Sequence, residues 1–159
     1  MAHSFKDAAG RDWQVHVTVG TIKRVRDSLQ VDLGRLFDDQ LKPLDALLSD
    51  PVKLVDVLYV AVKPDADRLG VTDAMFGESL IGDVLERAGE ALVGAAIDFQ
   101  PNAEWRKVLT STVAQARGYR AAAADAMLAR LQSSDPVAEV KRMVELAESA
   151  SAPKVEQGS

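Results

Sequence analysis

Apolar positions follow two rhythms along this chain, and the change from one to the other comes at Gly20. From Ser4 to Val19 they alternate. Trp13, Val15, Val17 and Val19 fall on one face, and Gln14, His16 and Thr18 on the other. That is the period of a half-buried strand. Ala8-Ala9-Gly10-Arg11 supplies a turn in which Gly10 can take positive φ. The segment therefore predicts a β-hairpin. A two-stranded ribbon is marginal alone, so its apolar face should pack on helices. Its outer edge stays unpaired, which makes it either a docking rail or the plain rim of a lid over the core.

From Gly20 onward the spacing is helical. Thr21 is the expected cap of a first helix with Ile22, Val25 and Leu29 inward and Lys23, Arg24 and Arg26 outward. Val31-Asp32-Leu33-Gly34 closes it. Arg35 to Ser49 reads as short amphipathic turns carrying Leu36, Phe37, Leu41, Leu44, Leu47 and Leu48. The stretch from Leu54 to Val62 is apolar on nearly every side, as befits a helix in the middle of a core. Asp50-Pro51 starts it, because Asp caps free N–H groups and Pro fits the first turn. Pro64 ends or kinks it. Asp65 to Gly70 is a helical turn closed by glycine, and Thr72-Asp73 opens a short helix with Met75, Phe76 and Leu80.

Ile81, Val84, Leu85, Ala88, Leu92, Ala95, Ala96 and Phe99 mark a longer amphipathic helix. Gly82, Gly89 and Gly94 within it predict close approach of another element. Asn102 to Gln132 predicts a long helix that leans on the core at Trp105. Ser134-Asp135-Pro136 repeats the Asp-Pro start signal before a last helix, Pro136 to Ala147. Ser149 to Ser159 is small and polar and is expected to be disordered. The predicted fold is mainly α (α+β), a short N-terminal hairpin packed on a bundle of about five to seven helices. Val57, Leu58, Ala61, Leu85, Ala88 and Leu92 are the expected core. The organisation read from this pattern is 1–99 for hairpin and helical core, 100–148 for C-terminal helices packed on or projecting from it, and 149–159 for the tail.

Composition narrows the chemistry. The 159 residues suffice for one domain with a real core. Apolar residues make up 47%, which argues against wholesale disorder. The net charge of −5 weighs against general nucleic-acid binding. With no cysteine, disulfides, zinc–thiolate sites and thiol catalysis are excluded. The N-terminus lacks a hydrophobic signal core and no stretch is apolar enough to span a bilayer, so a cytoplasmic protein is expected. Asp65 and Asp67 resemble the start of a calcium loop, but Leu69 stands where a third oxygen ligand is needed. His3 and His16 lie on polar positions of the hairpin without the further ligands a zinc site requires. No Gly-x-Ser-x-Gly elbow and no phosphate loop occurs. Catalytic residues, cofactors and metals are therefore all expected to be absent. Trp13 reads as core. Trp105 stands between core and interface anchor.

The order of elements resembles the tail assembly chaperones of long-tailed (siphovirus-type) bacteriophages and related phage-derived elements. The hairpin from Phe5 to Val19 precedes the Thr-started helix Thr21-Ile22-Lys23-Arg24-Val25-Arg26. Leu29-Gln30-Val31-Asp32-Leu33 is similar to the family's leucine-glycine-hydrophobic-aspartate-leucine exit. Leu54 to Pro64 looks like its central helix, Thr72-Asp73-Ala74-Met75-Phe76-Gly77 like its threonine-acid turn, and Ile81 to Phe99 like the helix that follows. The match covers residues 4 to 99. It implies a non-enzymatic role in tail morphogenesis: coating the aggregation-prone tape measure protein, recruiting tail tube protein around it, and leaving before the tail is complete. It also implies a host bacterial cytoplasmic location. The surface expected to bind partners combines His16 and Thr18 of the hairpin, Lys23, Arg24 and Arg26 of the first helix, and Trp105. A homo-oligomer is expected from the hairpin edge and the long helix. The rival reading is a small helical DNA-binding regulator, with Lys23, Arg24, Arg26 and Arg35 on phosphates. A recognition helix for it is not identifiable. A small enzyme would need an acid/base pair at a convincing spacing, and none occurs.

Overall fold

The computed structural model describes residues 2–133 and 136–151. It is mainly helical with one antiparallel ribbon, the fold class the pattern predicts. Two compact units divide the chain between Thr112 and Val113.

The first unit opens with β1 (His3–Lys6) and β2 (Asp12–Val15), paired with His3 opposite Val15 and Phe5 opposite Trp13. The connection is a tight turn in which Gly10 N–H donates to Asp7 O (3.0 Å) and Gly10 takes φ +82°. Asp7 is buried at the end of β1, and its carboxylate closes the turn. Oδ1 accepts from the backbone N–H groups of Ala9 and Arg11 (2.9 Å each). Oδ2 accepts from Arg11 Nε (2.7 Å) and from Trp13 Nε1 (2.8 Å). Burial pushes the Asp7 carboxyl up, but the bonds from Trp13 and from the Arg11 backbone and side chain outweigh it, and the group titrates below the usual carboxylate range.

The α-helices of this unit are α1 (Val19–Leu29), α2 (Lys42–Leu48), α3 (Pro51–Ala61), α4 (Lys63–Leu69), α5 (Asp73–Ser79), α6 (Asp83–Asp98) and the first turns of α7 (Ala103–Ser133), with short 3-10 turns at Leu33–Arg35 and Asp39–Leu41 between α1 and α2. The second unit holds the remainder of α7 and α8 (Pro136–Ala150). Helix α3 is the hub, touching α1, α2, α4, α5 and α6. Asp50 caps it by accepting from Lys53 N–H (3.1 Å), and Pro51 occupies its first turn. Val57, Leu58, Ala61, Ala88 and Leu92 are buried as expected, while Leu85 is only half-buried. Gly89 of α6 faces α3, where an added Cβ would meet Leu54 Cδ2 at 3.4 Å, an ordinary contact, so close approach does not require glycine there. The ribbon packs mainly on α6. Phe76 of α5 receives Trp13 edge-on (5.1 Å between centroids), with Phe5 at 6.4 Å and Tyr59 at 5.5 Å.

Several local expectations are corrected. The cap of α1 is Thr18, whose Oγ1 accepts from Thr21 N–H (3.2 Å). Thr21 is buried one turn further in, and its hydroxyl donates to His16 O (2.9 Å). Helix formation from Val19 onward pulls that residue off the strand face, and it is 59% exposed. Gly82 precedes α6 rather than lying inside it: its φ of +55° is non-helical, and Ile81 before it is exposed. At α7 the buried contact of the first turns is Leu109, whereas Trp105 is 45% exposed. Helix α8 continues to Ala150, so the expected disordered tail does not begin at Ser149. The rest of that tail, from residue 152, and the start signal at 134 and 135 lie outside the described residues.

The segment between α1 and α2 contains a left-handed turn at three successive non-glycine residues, Asp39, Gln40 and Leu41, with φ of 46°, 56° and 66°. Each such residue costs roughly 1–2 kcal/mol because its Cβ crowds the following carbonyl. Gln40 is exposed. Gln40→Gly is expected to raise stability by about 0.5–1 kcal/mol, the strain relieved less the extra entropy that glycine loses on folding. A shift of the urea midpoint to higher concentration with unchanged slope is the expected reading.

Candidate functional site

An open groove of about 330 Å³ lies where the end of the ribbon meets the C-terminal turns of α6. His3, His16, Thr18 and Asp98 supply its polar groups, and Val17 and Phe99 its apolar wall. Each position follows from local structure. His3 is on β1 opposite Val15, and strand alternation puts it on the same face as Phe5, the side of the ribbon that packs on α6. Asp98 ends α6, one turn beyond Gly94. The His3 ring lies over Gly94, where any Cβ would collide with it. This close approach lets Nε2 reach Asp98 Oδ2 at 2.8 Å. The hydrogen bond from His3 holds the Asp98 carboxyl below its ordinary value despite partial desolvation.

His16 is exposed, and its carbonyl is tied down by Thr21. Thr18 is committed to capping α1. His16 and Thr18 thus line one groove. The basic trio on α1 divides. Lys23 is exposed. Arg26 Nη2 donates to Asp32 Oδ2, while Asp32 Oδ1 caps the next turn by accepting from Gly34 N–H. Arg24, expected to face out, is half-buried: its Nη2 lies 3.5 Å from Thr21 Oγ1 and from Ala61 O, and its Nε is buried without a hydrogen-bond partner. The cause is the packing of α1 on α3, which leaves its aliphatic stem nowhere more favourable to lie. Trp105 does not line the groove. It stands exposed in the first turn of α7, where Asn102 Oδ1 caps its N–H (3.0 Å).

His3 and Asp98 are the residues that sequence reasoning missed in this groove. They stand 95 positions apart, and the only local signal was a glycine one turn before an aspartate at the end of a helix. The groove sets hydrogen-bond donors and acceptors beside an apolar wall. Among the described residues no group of three or more His, Cys, Asp or Glu is arranged to hold a metal ion. No helix among them is long and apolar enough to cross a membrane.

A second kind of surface lies on the C-terminal helices. Of sixteen exposed large apolar side chains among the described residues, nine fall between Tyr119 and Leu146. Tyr119 is 79% exposed and Met127 68%. Isolated exposed apolar residues are ordinary, but such a concentration marks an interaction surface. No protein-family model, curated protein or solved structure matches this chain.

Proposed function

We propose that the protein is a non-enzymatic assembly chaperone of the bacteriophage tail, acting in the host bacterial cytoplasm. Its cargo is the tape measure protein, which it holds in solution while tail tube subunits are recruited. The observation that supports this reading is the row of exposed apolar side chains on α7, with Tyr119, Met127, Leu128 and Leu131 all uncovered. An aggregation-prone helical cargo needs such a row, because apolar side chains repeated at helical spacing can lie against it. The resemblance of residues 4 to 99 to tail assembly chaperones supplies the identity of the cargo. His16, Thr18 and the groove at the end of the ribbon, Lys23 and Arg26 on α1, and Trp105 offer further contacts. Arg24 is set aside because its guanidinium is turned toward Thr21 and Ala61.

Each contact is modest, as befits a chaperone that tube subunits must displace, and many copies along one cargo supply the total affinity. The test is co-expression with the tape-measure candidate from the same locus, followed by pull-down. The cargo is expected to be insoluble alone and soluble as a complex with this chain. Tyr119→Asp combined with Leu128→Asp is expected to lose the complex while the first unit stays folded. A cargo soluble by itself, or one that forms no complex, overturns the assignment.

A further inference from the structure

The last helix presents a face that is complementary to itself. On α8, Val140, Met143, Val144 and Ala147 recur at spacings of three and four residues and so share one side. Val140, Met143 and Val144 are 62%, 66% and 51% exposed. Lys141 and Glu148, seven positions apart, lie on one flank of this face, and Glu139 lies on the other. The face is therefore apolar along its middle and carries both signs of charge along one edge.

We propose that α8 pairs with α8 of a second copy of this chain, antiparallel, about a two-fold axis between Met143 and Val144. This register opposes Met143 to Val144 and Val140 to Ala147, small against large in each layer. It also brings Lys141 of each copy to within about two residues of rise, roughly 3 Å along the axis, of Glu148 in the other. An antiparallel pair places the same flank of both helices together, so this ion pair forms twice. A parallel pair would instead set Lys141 beside Glu139 of the other copy, so the charge exchange at 148 separates the two orientations. The helix dipoles favour the antiparallel arrangement too. The face buries on the order of 400 Å² per copy, the size of a weak and reversible interface rather than an obligate one. A second copy is the occupant because the edge charges match without any outside partner. The inference does not depend on the chaperone reading, since it concerns the chain alone in solution.

The test is light-scattering mass of the full chain, purified alone, from about 5 to about 500 µM, a range that spans weak protein–protein affinities. The mass is expected to rise from 17.1 kDa toward twice that value. Val140→Glu with Val144→Glu is expected to stay at 17.1 kDa throughout, with helical signal and melting of the first unit retained. Lys141→Glu alone turns both ion pairs repulsive and should weaken the dimer by about fivefold. Adding Glu148→Lys to it is expected to restore the dimer, because the swapped pair has the same geometry. A mass fixed at 17.1 kDa at every concentration overturns the proposal, as does a dimer indifferent to glutamate at 140 and 144. A charge swap that fails to restore association overturns the antiparallel register.

Discussion

Phe76→Ala is expected to destabilise the first unit by about 3–5 kcal/mol, a large share of the 5–15 kcal/mol that typically holds a domain together. Phe76 is fully buried. Its ring is the common neighbour of Phe5 and Trp13 on the ribbon and of Tyr59 on α3. Truncation removes the apolar surface of one ring and leaves a cavity bounded by three others. Those neighbours are poorly able to collapse into it. Trp13 is held by its bond to Asp7, and Tyr59 by its hydroxyl donating to Val71 O (3.2 Å). The loss therefore belongs at the upper end for such substitutions. Because the ribbon, α3 and α5 all meet at this ring, unfolding should remain a single transition at a lower urea midpoint. A loss below about 1 kcal/mol would show that the four rings do not form one packed cluster. Phe76→Leu, which refills part of the volume, should recover half or more of the stability.

The parts of this fold that were legible in the sequence are those decided by neighbours along the chain. Alternation at Trp13, Val15 and Val17 placed the buried side of the ribbon. Asp50-Pro51 and Thr72-Asp73 marked helix starts because capping depends on the side chain at one position and the N–H groups just after it. Thr18 and Thr21 show the limit of that logic. Both are capping residues three positions apart, and the choice between them rests on where the strand releases the chain. Arg24 was misread for a different reason: a helical wheel records direction but not how near the next helix comes. The left-handed turn at Asp39 to Leu41 carries no glycine, so its conformation is imposed by the helices on either side rather than by local preference. Of the groove, His16 and Thr18 were legible and His3 and Asp98 were not, since their pairing is created by the docking of β1 on α6. The apolar face of α8 was visible as periodicity, but its exposure is a property of the fold.

Asp7→Asn is expected to cost about 3 kcal/mol at neutral pH, far more than a change of one atom suggests. Four donors converge on this carboxylate, two on each oxygen. An asparagine can keep its oxygen toward the backbone N–H groups of Ala9 and Arg11. Its amide N–H₂ then points at Trp13 Nε1–H and Arg11 Nε–H, donor against donor, at a site where Trp13 is completely buried. The reverse rotamer merely moves the conflict to the backbone. The effect has a definite pH dependence. The folded-state carboxyl titrates below the usual range, because the bonds from Trp13 and Arg11 outweigh the upward push of burial. Its contribution is therefore complete above the unfolded-state value near 4 and is lost as pH falls through the lower folded-state value. The wild-type protein should lose its advantage over Asp7→Asn progressively below about pH 4, while other carboxylates affect both proteins alike. Urea unfolding of the two proteins between about pH 7 and pH 2.5 checks this. A difference that is small at neutrality, or that stays constant into acid, would mean the ionised carboxylate does not hold the ribbon closed.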